Sequence, residues 1–257
     1  MDLSLVIPAC NEEQRIGDTL ITYVKDFRAS GVSFEIIVEM DGCTDHTAQV
    51  VARLGQIYPE VGGLEFEEKL GKGGGLVKGF EAARGDCVGF VDADGSVRPG
   101  ELMKLLTEVR NGADFAIASR RAKGAKALYQ TRRRQVLSRC FNILVRVLFA
   151  LPYKDTQCGA KVMKRDAMEK MIQDIHVNGF AFDVGLIYAA RKNGFSIKEV
   201  GVNWEDKTGS KVDINHTIFD MLTSVIKLRI FFSPFKSLLT HNGRRSGDSA
   251  EWANWLD

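Results

Sequence analysis

Two carboxylates one residue apart close a short apolar run, Val88-Gly89-Phe90-Val91-Asp92-Ala93-Asp94. Alternate side chains of a strand share a face, so Asp92 and Asp94 converge on one point just past the strand's end. Two hard oxygen donors there suit Mg²⁺ or Mn²⁺, which are held by a few carboxylates together with substrate phosphates. The same tripeptide also opens turns, because Asp favours them. The polar loops that accompany it strengthen the metal reading.

There are three such loops. Leu3-Ser4-Leu5-Val6-Ile7 closes on Pro8-Ala9-Cys10-Asn11-Glu12-Glu13, where Asn11 has the chemistry of an N-cap and the glutamates favour a helix's first turn. Phe34-Glu35-Ile36-Ile37-Val38-Glu39 runs into Met40-Asp41-Gly42-Cys43-Thr44-Asp45, and Thr44 or Asp45 can cap the helix that follows. Glu67-Glu68-Lys69-Leu70-Gly71-Lys72-Gly73-Gly74-Gly75 is a glycine-rich basic loop before a helix. A dinucleotide-binding fingerprint would need glycine where Leu76 stands. A P-loop would need glycine at Phe66 and Ser or Thr at Gly73. With both excluded, either bare N–H groups and Lys72 approach a diphosphate or nucleoside, or the segment is a plain turn into a helix.

These loops require an α/β scaffold. Strands are expected near 3–8, 34–39, 87–91 and 115–118, with helices after Asn11, Thr44, Gly73 and Pro99. That alternation predicts a mostly parallel sheet with helices on both faces, and ligands of such sheets sit beyond the carboxyl ends of the strands. The 257 residues divide into one domain over 1–232 and a polar tail over 233–257, with Trp252 and Trp255 in the tail. The net charge of +2 gives no reason to expect a nucleic-acid partner. Five scattered cysteines without a C-x-x-C pair argue against disulfides or zinc and fit a reducing, cytosolic setting. Neither a signal peptide nor an apolar run of about 18–20 residues is present, so no transmembrane helix is expected.

The ordered set P-A-C-N-E-E, D-G-C-T-D, G-K-G-G and D-A-D resembles the signature of the family 2 glycosyltransferases, whose nucleotide-sugar-binding fold is called GT-A. Asp155-Thr156-Gln157-Cys158-Gly159, Phe182-Asp183-Val184 and the run Val202 to Lys211 are similar to the dolichyl-phosphate glucosyltransferase branch, with dolichyl-phosphate mannose synthases as near relatives. The resemblance spans roughly residues 3 to 232. It implies that Pro8, Ala9, Asn11 and Glu12 cradle the nucleotide and that Asp41 touches base or ribose. The family often has a second aspartate where Met40 stands, which leaves the nucleotide's identity open. It further implies that Asp92, Ala93 and Asp94 line the donor, with the metal on Asp94 and Asp92 and Ser96 a weaker third candidate.

Asp183 matches the region of the family's general base. A hydroxyl acceptor needs one. A polyprenyl phosphate does not, being largely dianionic near neutral pH, so Asp183 serves either as base or as a structural or sugar-binding group. Arg120, Arg134 and Arg139 are the candidates for gripping an acceptor phosphate, because a guanidinium binds phosphate bidentately. Lys207, Ser210 and Lys211 lie on a glycine-containing loop, either a flap over the donor phosphates or a solvated turn. Apolar stretches edged by cations over 133–151 and 216–235 either pack on the sheet or lie in a membrane interface.

The resulting expectation is a metal-dependent inverting hexosyltransferase, peripheral on the cytoplasmic face of a membrane. It moves glucose from UDP-glucose to a dolichyl or polyprenyl monophosphate. The alternatives are GDP-mannose as donor, a hydroxyl acceptor with Asp183 as base, and a non-catalytic nucleotide-sugar-binding subunit. The sequence leaves the oligomeric state open.

Overall fold

Near-continuous apolar runs read as strands buried on both faces, and the chain folds accordingly. The computed structural model describes residues 1–128, 131–175, 179, 181–207 and 214–232, and of 133, 134 and 214–221 it describes the backbone alone. The first half runs β1 (Leu3–Ala9), α1 (Ile16–Ser30), β2 (Phe34–Asp41), α2 (Thr47–Ile57), β3 (Val61–Phe66), α3 (Gly71–Ala82), β4 (Cys87–Val91), α4 (Pro99–Arg110) and β5 (Phe115–Ser119). It continues through β6 (Lys126–Leu128), α5 (Arg132–Phe149), β7 (Ala160–Lys164), α6 (Arg165–Gln173), α7 (Phe182–Lys192), β8 (Ile197–Gly201), β9 (Asn203–Glu205) and α8 (Ile214–Phe231).

The main sheet has the order β3-β2-β1-β4-β7-β5-β8, and β6 pairs with β9 apart from it. All pairs are parallel except those of β7, which runs antiparallel to both β4 and β5. The expected mostly parallel, two-faced sheet is therefore present. The short β6 and β9 were not anticipated, nor, within the main sheet, were β3, β7 and β8. Two of β3's six residues are glycine, and β7 and β8 carry lysines between their apolar residues, so none of them stands out as an apolar run.

Alternation along each strand splits the core. Leu3, Leu5 and Ile7 of β1 join α1 and α4 on one face. Val6 faces Leu76 and Phe80 of α3 on the other, where α6 and α7 also pack. The chain order reverses between β1 and β4, because β2 and β3 extend the sheet one way and β4 the other. A sheet opens a crevice at such a point.

Two local expectations change. Asn11 does not cap α1, which begins at Ile16. Its backbone is left-handed, with φ 56°, and its side chain turns toward the loop after β2. The glycine-rich segment is not a loop either, because Gly71, Gly73, Gly74 and Gly75 lie within α3. Glycine costs a helix about 1 kcal/mol per residue, but here it permits close approach. A methyl group at 75 would collide with the Glu39 carboxyl group beneath it.

Glu39 is fully buried, and neither carboxyl oxygen has a hydrogen-bond partner. Burial, with a further contribution from Asp41, pushes its pKa up to about 8. Between the ordinary glutamate value and about 8, the unfolded chain releases this proton while the folded chain keeps it. Wild-type stability therefore falls as pH rises through that window. Glu39→Gln removes the titration. Its unfolding free energy should exceed that of wild type by about 1–4 kcal/mol at pH 7.5, with the gap narrowing toward pH 5. Urea denaturation at the two pH values tests this, and a gap independent of pH would refute it.

Candidate active site

The loops after β1 and β2 are laced together by their own polar groups. The Asn11 Oδ1 accepts from the backbone N–H of Thr44 at 2.7 Å and of Asp45 at 3.2 Å. The backbone N–H of Glu12 donates to Thr47 Oγ1 at 2.8 Å, and that of Glu13 to Asp45 Oδ2 at 3.2 Å. Asp45 Oδ1 also accepts from the Thr47 N–H at 2.9 Å, but the N-cap of α2 is His46, which makes no side-chain capping bond, so neither Thr44 nor Asp45 holds the expected cap position. Glu12 pairs with Arg15 at 2.6 Å. Pro8 and Ala9 end β1 at the floor of these loops.

Asp41 ends β2 and accepts backbone N–H groups from Leu70 at 2.5 Å and Gly71 at 3.0 Å. Its carboxylate thus supports the positive end of α3. Met40, one residue earlier, points to the opposite face and is buried against Gly63. The slot where the family often carries an aspartate is therefore a core position here.

Next to these loops, four charged side chains from four elements form a chain. Lys72, in the first turn of α3, places its ammonium 2.9 Å from Asp92 Oδ1 and 3.3 Å from Asp183 Oδ2. Asp183, in the first turn of α7, also accepts from Lys161 of β7 in a short hydrogen bond. Lys161 donates to the Cys158 carbonyl at 2.9 Å as well. The side chains of Lys161 and Asp183 are 1% and 4% exposed, whereas that of Asp92 is 42% exposed. Phe90 lies beneath both ammonium groups, 5.8 Å from Lys72 and 5.2 Å from Lys161. Burial alone would push the Asp183 carboxyl up, but Lys161 and Lys72 outweigh it and hold the group below the usual carboxylate range. Burial likewise works against the Lys72 charge, and Asp183 and Asp92 outweigh it.

The two candidate metal ligands differ in their surroundings. The Asp92 backbone N–H donates to the Gly159 carbonyl at 3.1 Å. A methyl group at Gly159 would overlap the Asp92 carboxylate, which would then have to move. Asp94 Oδ1 accepts the Ser96 N–H at 2.9 Å. Ala93 between them is buried, and its carbonyl accepts from Thr19 Oγ1 at 2.9 Å. The Ser96 hydroxyl is buried without a partner. Among the described residues no three His, Cys, Asp or Glu side chains converge. The candidate donors, two carboxylates and a hydroxyl, have the chemistry of a hard divalent ion that takes its other ligands from a substrate's phosphates and water. Asp94 also lines a cleft of about 370 Å³ with Arg15, Asp18, Tyr23, Arg98 and Lys207. Lys207 pairs there with Glu205 at 2.7 Å. Ser210 and Lys211 lie outside the described residues.

The three candidate arginines differ in their surroundings. Arg120 makes a bidentate pair with the fully buried Asp155, at 2.7 and 3.0 Å, and its guanidinium lies 5.3 Å from the Trp204 ring. Arg121 approaches the same carboxylate at 3.3 Å and donates to Ser138 Oγ of α5 at 2.9 Å. Burial would raise the pKa of Asp155, but Arg120 foremost, with Arg121, holds it low. The pair joins β5 to the 155–159 loop, because a buried carboxylate demands a cation. Arg139 is exposed on α5, and the side chain of Arg134 lies outside the described residues.

Lys161 and the clasp it forms on Asp183 were missed by sequence reasoning. The available signal was a lysine between Ala160 and Val162 in a short apolar run, since a lysine there must be paired if it is buried.

Residues 4–201 match the model of glycosyl transferase family 2. The glycosyltransferase AglD of Haloferax volcanii is 32% identical over 88% of this chain, although the chain spans only 37% of that protein. The dolichyl-phosphate beta-glucosyltransferase ALG5D of Trichomonas vaginalis is 30% identical, over 90% of this chain and 73% of its own length. The human dolichyl-phosphate beta-glucosyltransferase is 32% identical, over 82% and 69%. Among solved structures, the Mycobacterium tuberculosis glucosyl-3-phosphoglycerate synthase in complex with Mn²⁺, UDP-glucose and phosphoglyceric acid superposes with a TM-score of 0.63. It is 20% identical, over 89% of this chain and 78% of that one, a likeness that shows the shared GT-A fold. With the ordered loop motifs gathered at one crevice of that fold, this chain belongs to family 2 of the glycosyltransferases.

Proposed function

We propose that this protein transfers one hexose, in the first instance glucose from UDP-glucose, to a dolichyl or polyprenyl monophosphate at a membrane surface, with inversion at the anomeric carbon. The observation that carries the choice of acceptor is the state of Asp183. It is held ionised between two lysines, below the usual carboxylate range, and so is a poor proton acceptor. A hydroxyl acceptor would need a better base, whereas a phosphate monoester brings its own charged nucleophile. The names of the relatives agree with this reading.

Asp92 and Asp94, with the Ser96 hydroxyl, would hold Mg²⁺ or Mn²⁺. When bound, such an ion neutralises charge developing on the leaving diphosphate. The loops after β1 and β2, with Pro8, Ala9, Asn11, Glu12 and Asp41, form the nucleoside end. Lys72, against Asp92, and Lys207, in the cleft that Asp94 lines, supply cations. The acceptor's phosphate oxygen attacks the anomeric carbon from the face opposite the diphosphate, which gives a β-linked product from an α-linked donor. Positioning and electrostatics then supply most of the rate.

Helix α5 supports the membrane part of the reading. Val136, Cys140, Ile143 and Val147 recur at helical spacing and are exposed, Val147 by 75%, with Ile226 of α8 exposed as well. Arg132 and Arg139 are exposed on the same helix. No described helix is long and apolar enough to cross a bilayer. An apolar stripe edged by arginines instead suits a helix lying in the interface of an anionic leaflet.

Purified protein given Mg²⁺ or Mn²⁺, short-chain dolichyl phosphate and labelled UDP-glucose, UDP-N-acetylglucosamine, UDP-galactose or GDP-mannose should move label into the lipid phase from UDP-glucose. Label from GDP-mannose alone would select the mannose reading. Asp94→Ala should lose about 10³-fold or more in kcat while melting near wild type, and near-normal turnover would remove Asp94 from the metal site. Asp183→Asn should lose about 10-fold or less, and a loss of about 10³-fold would instead favour a hydroxyl acceptor served by a base. The double substitution Ile143→Asp with Val147→Asp should abolish sedimentation with phosphatidylserine-containing vesicles without lowering Tm. Unchanged sedimentation would exclude this face.

A further inference from the structure

The buried lysine of β7 has no place in the chemistry described so far. Lys161 is fully buried in the middle of a seven-stranded sheet, paired in register with Phe90 of β4 and Ile117 of β5. Its ammonium meets a backbone carbonyl and Asp183. A lysine in such a place is costly unless it is paired, and a methionine or leucine would fill the same volume at less cost.

The connections of Asp183 supply a reason. It touches Lys161 on one side and Lys72 on the other, and Lys72 touches Asp92. The four side chains alternate in sign and sum to zero. Lys72 thus divides one ammonium between a buried carboxylate and a half-exposed one at the crevice. How it divides depends on whether Asp183 is already neutralised. With Lys161 present, Asp183 makes only a 3.3 Å contact to Lys72, and Lys72 holds Asp92 more closely, at 2.9 Å. Without Lys161, Asp183, the more buried of the two carboxylates, would keep Lys72 as its one described partner and would draw the ammonium inward, away from Asp92. Desolvation makes a buried charge the stronger competitor for a shared counterion.

We propose that Lys161 is a positioning residue of the transfer reaction. By neutralising Asp183, it leaves the Lys72 ammonium at Asp92, where the donor diphosphate is to be bound. This rests on the proposed glycosyl transfer for its meaning. The charge balance behind it does not, which allows the two to be tested apart.

The test is a double-mutant cycle in the full chain. Lys161→Met keeps the volume and removes the cation. Lys161→Met should lower kcat about 100-fold, the scale of a misplaced group, with a smaller change in the KM for dolichyl phosphate. Asp183→Asn alone should stay within about 10-fold of wild type. Adding Asp183→Asn to Lys161→Met removes the competing anion and leaves the Lys72–Asp92 pair. The double variant should therefore recover kcat to about the level of Asp183→Asn, a gain of about 10-fold or more over Lys161→Met.

Release of UDP from UDP-glucose without acceptor, and Tm, are read on the same four proteins. Tm should fall in Lys161→Met and return in the double variant, whatever the acceptor turns out to be. If wild type transfers nothing to dolichyl phosphate, the proposed function fails, and Tm with UDP release still decides the positioning role. A double variant no better than Lys161→Met in both readouts would overturn the proposal. So would near-wild-type kcat in Lys161→Met, because packing alone would then account for the residue.

Discussion

The chain of alternating charges Lys161, Asp183, Lys72 and Asp92 is the constraint around which the crevice is arranged. Two of its members are almost completely buried. Charges removed from water survive only when paired closely, and removing one partner strands the other. The four residues come from β7, α7, α3 and the end of β4, so satisfying them fixes those elements relative to one another. Phe90 beneath the two ammonium groups excludes water from one side and raises the weight of each contact.

Much of the surrounding architecture accommodates that arrangement. Helix α3 must come close enough to β2 and β1 for Lys72 to reach across to β4, and its glycines allow this at the expense of helix propensity. Glu39 below it is an apparent liability, a buried acid kept neutral by the absence of any partner. Strand β7 runs against its neighbours and brings Lys161 into register with Phe90. The loop before it places Gly159 on Asp92. On the far side of the same loop, Asp155 gathers Arg120 and Arg121 and ties β5 to α5. The loop from 155 to 159 therefore couples the acidic end of β4 to the helix whose outer face is apolar.

The shared fold explains why the polar groups collect at one end of the sheet. Every parallel strand delivers its loop to the same edge, and the reversal of strand order between β1 and β4 opens a gap there. Asp92 meets Lys72 of α3, and Asp94 lines a cleft that Lys207, paired with Glu205, also lines. On the proposed reading, a donor diphosphate would enter this gap beside cations already held in place by carboxylates.

The sequence by itself determined the scaffold class, the crevice and the identity of most of its polar loops. Apolar runs of strand length and turn chemistry at their ends are local properties, visible in neighbouring residues. The Asp92-Ala93-Asp94 turn was legible for that reason. What only tertiary structure decided was who pairs with whom. Asn11 looked like a cap and became a tie between loops, and the Arg120 side chain closes on Asp155. The partner of a charge lies 35 residues away for Arg120 and 111 for Lys72. Nothing local encodes that distance. Strands β3, β7 and β8 were missed on the same grounds, because their place in the sheet comes from their neighbours more than from their own residues. Burial turns a lysine or a carboxylate from a solvated group into one that dictates its surroundings, and burial is settled only when the chain closes on itself.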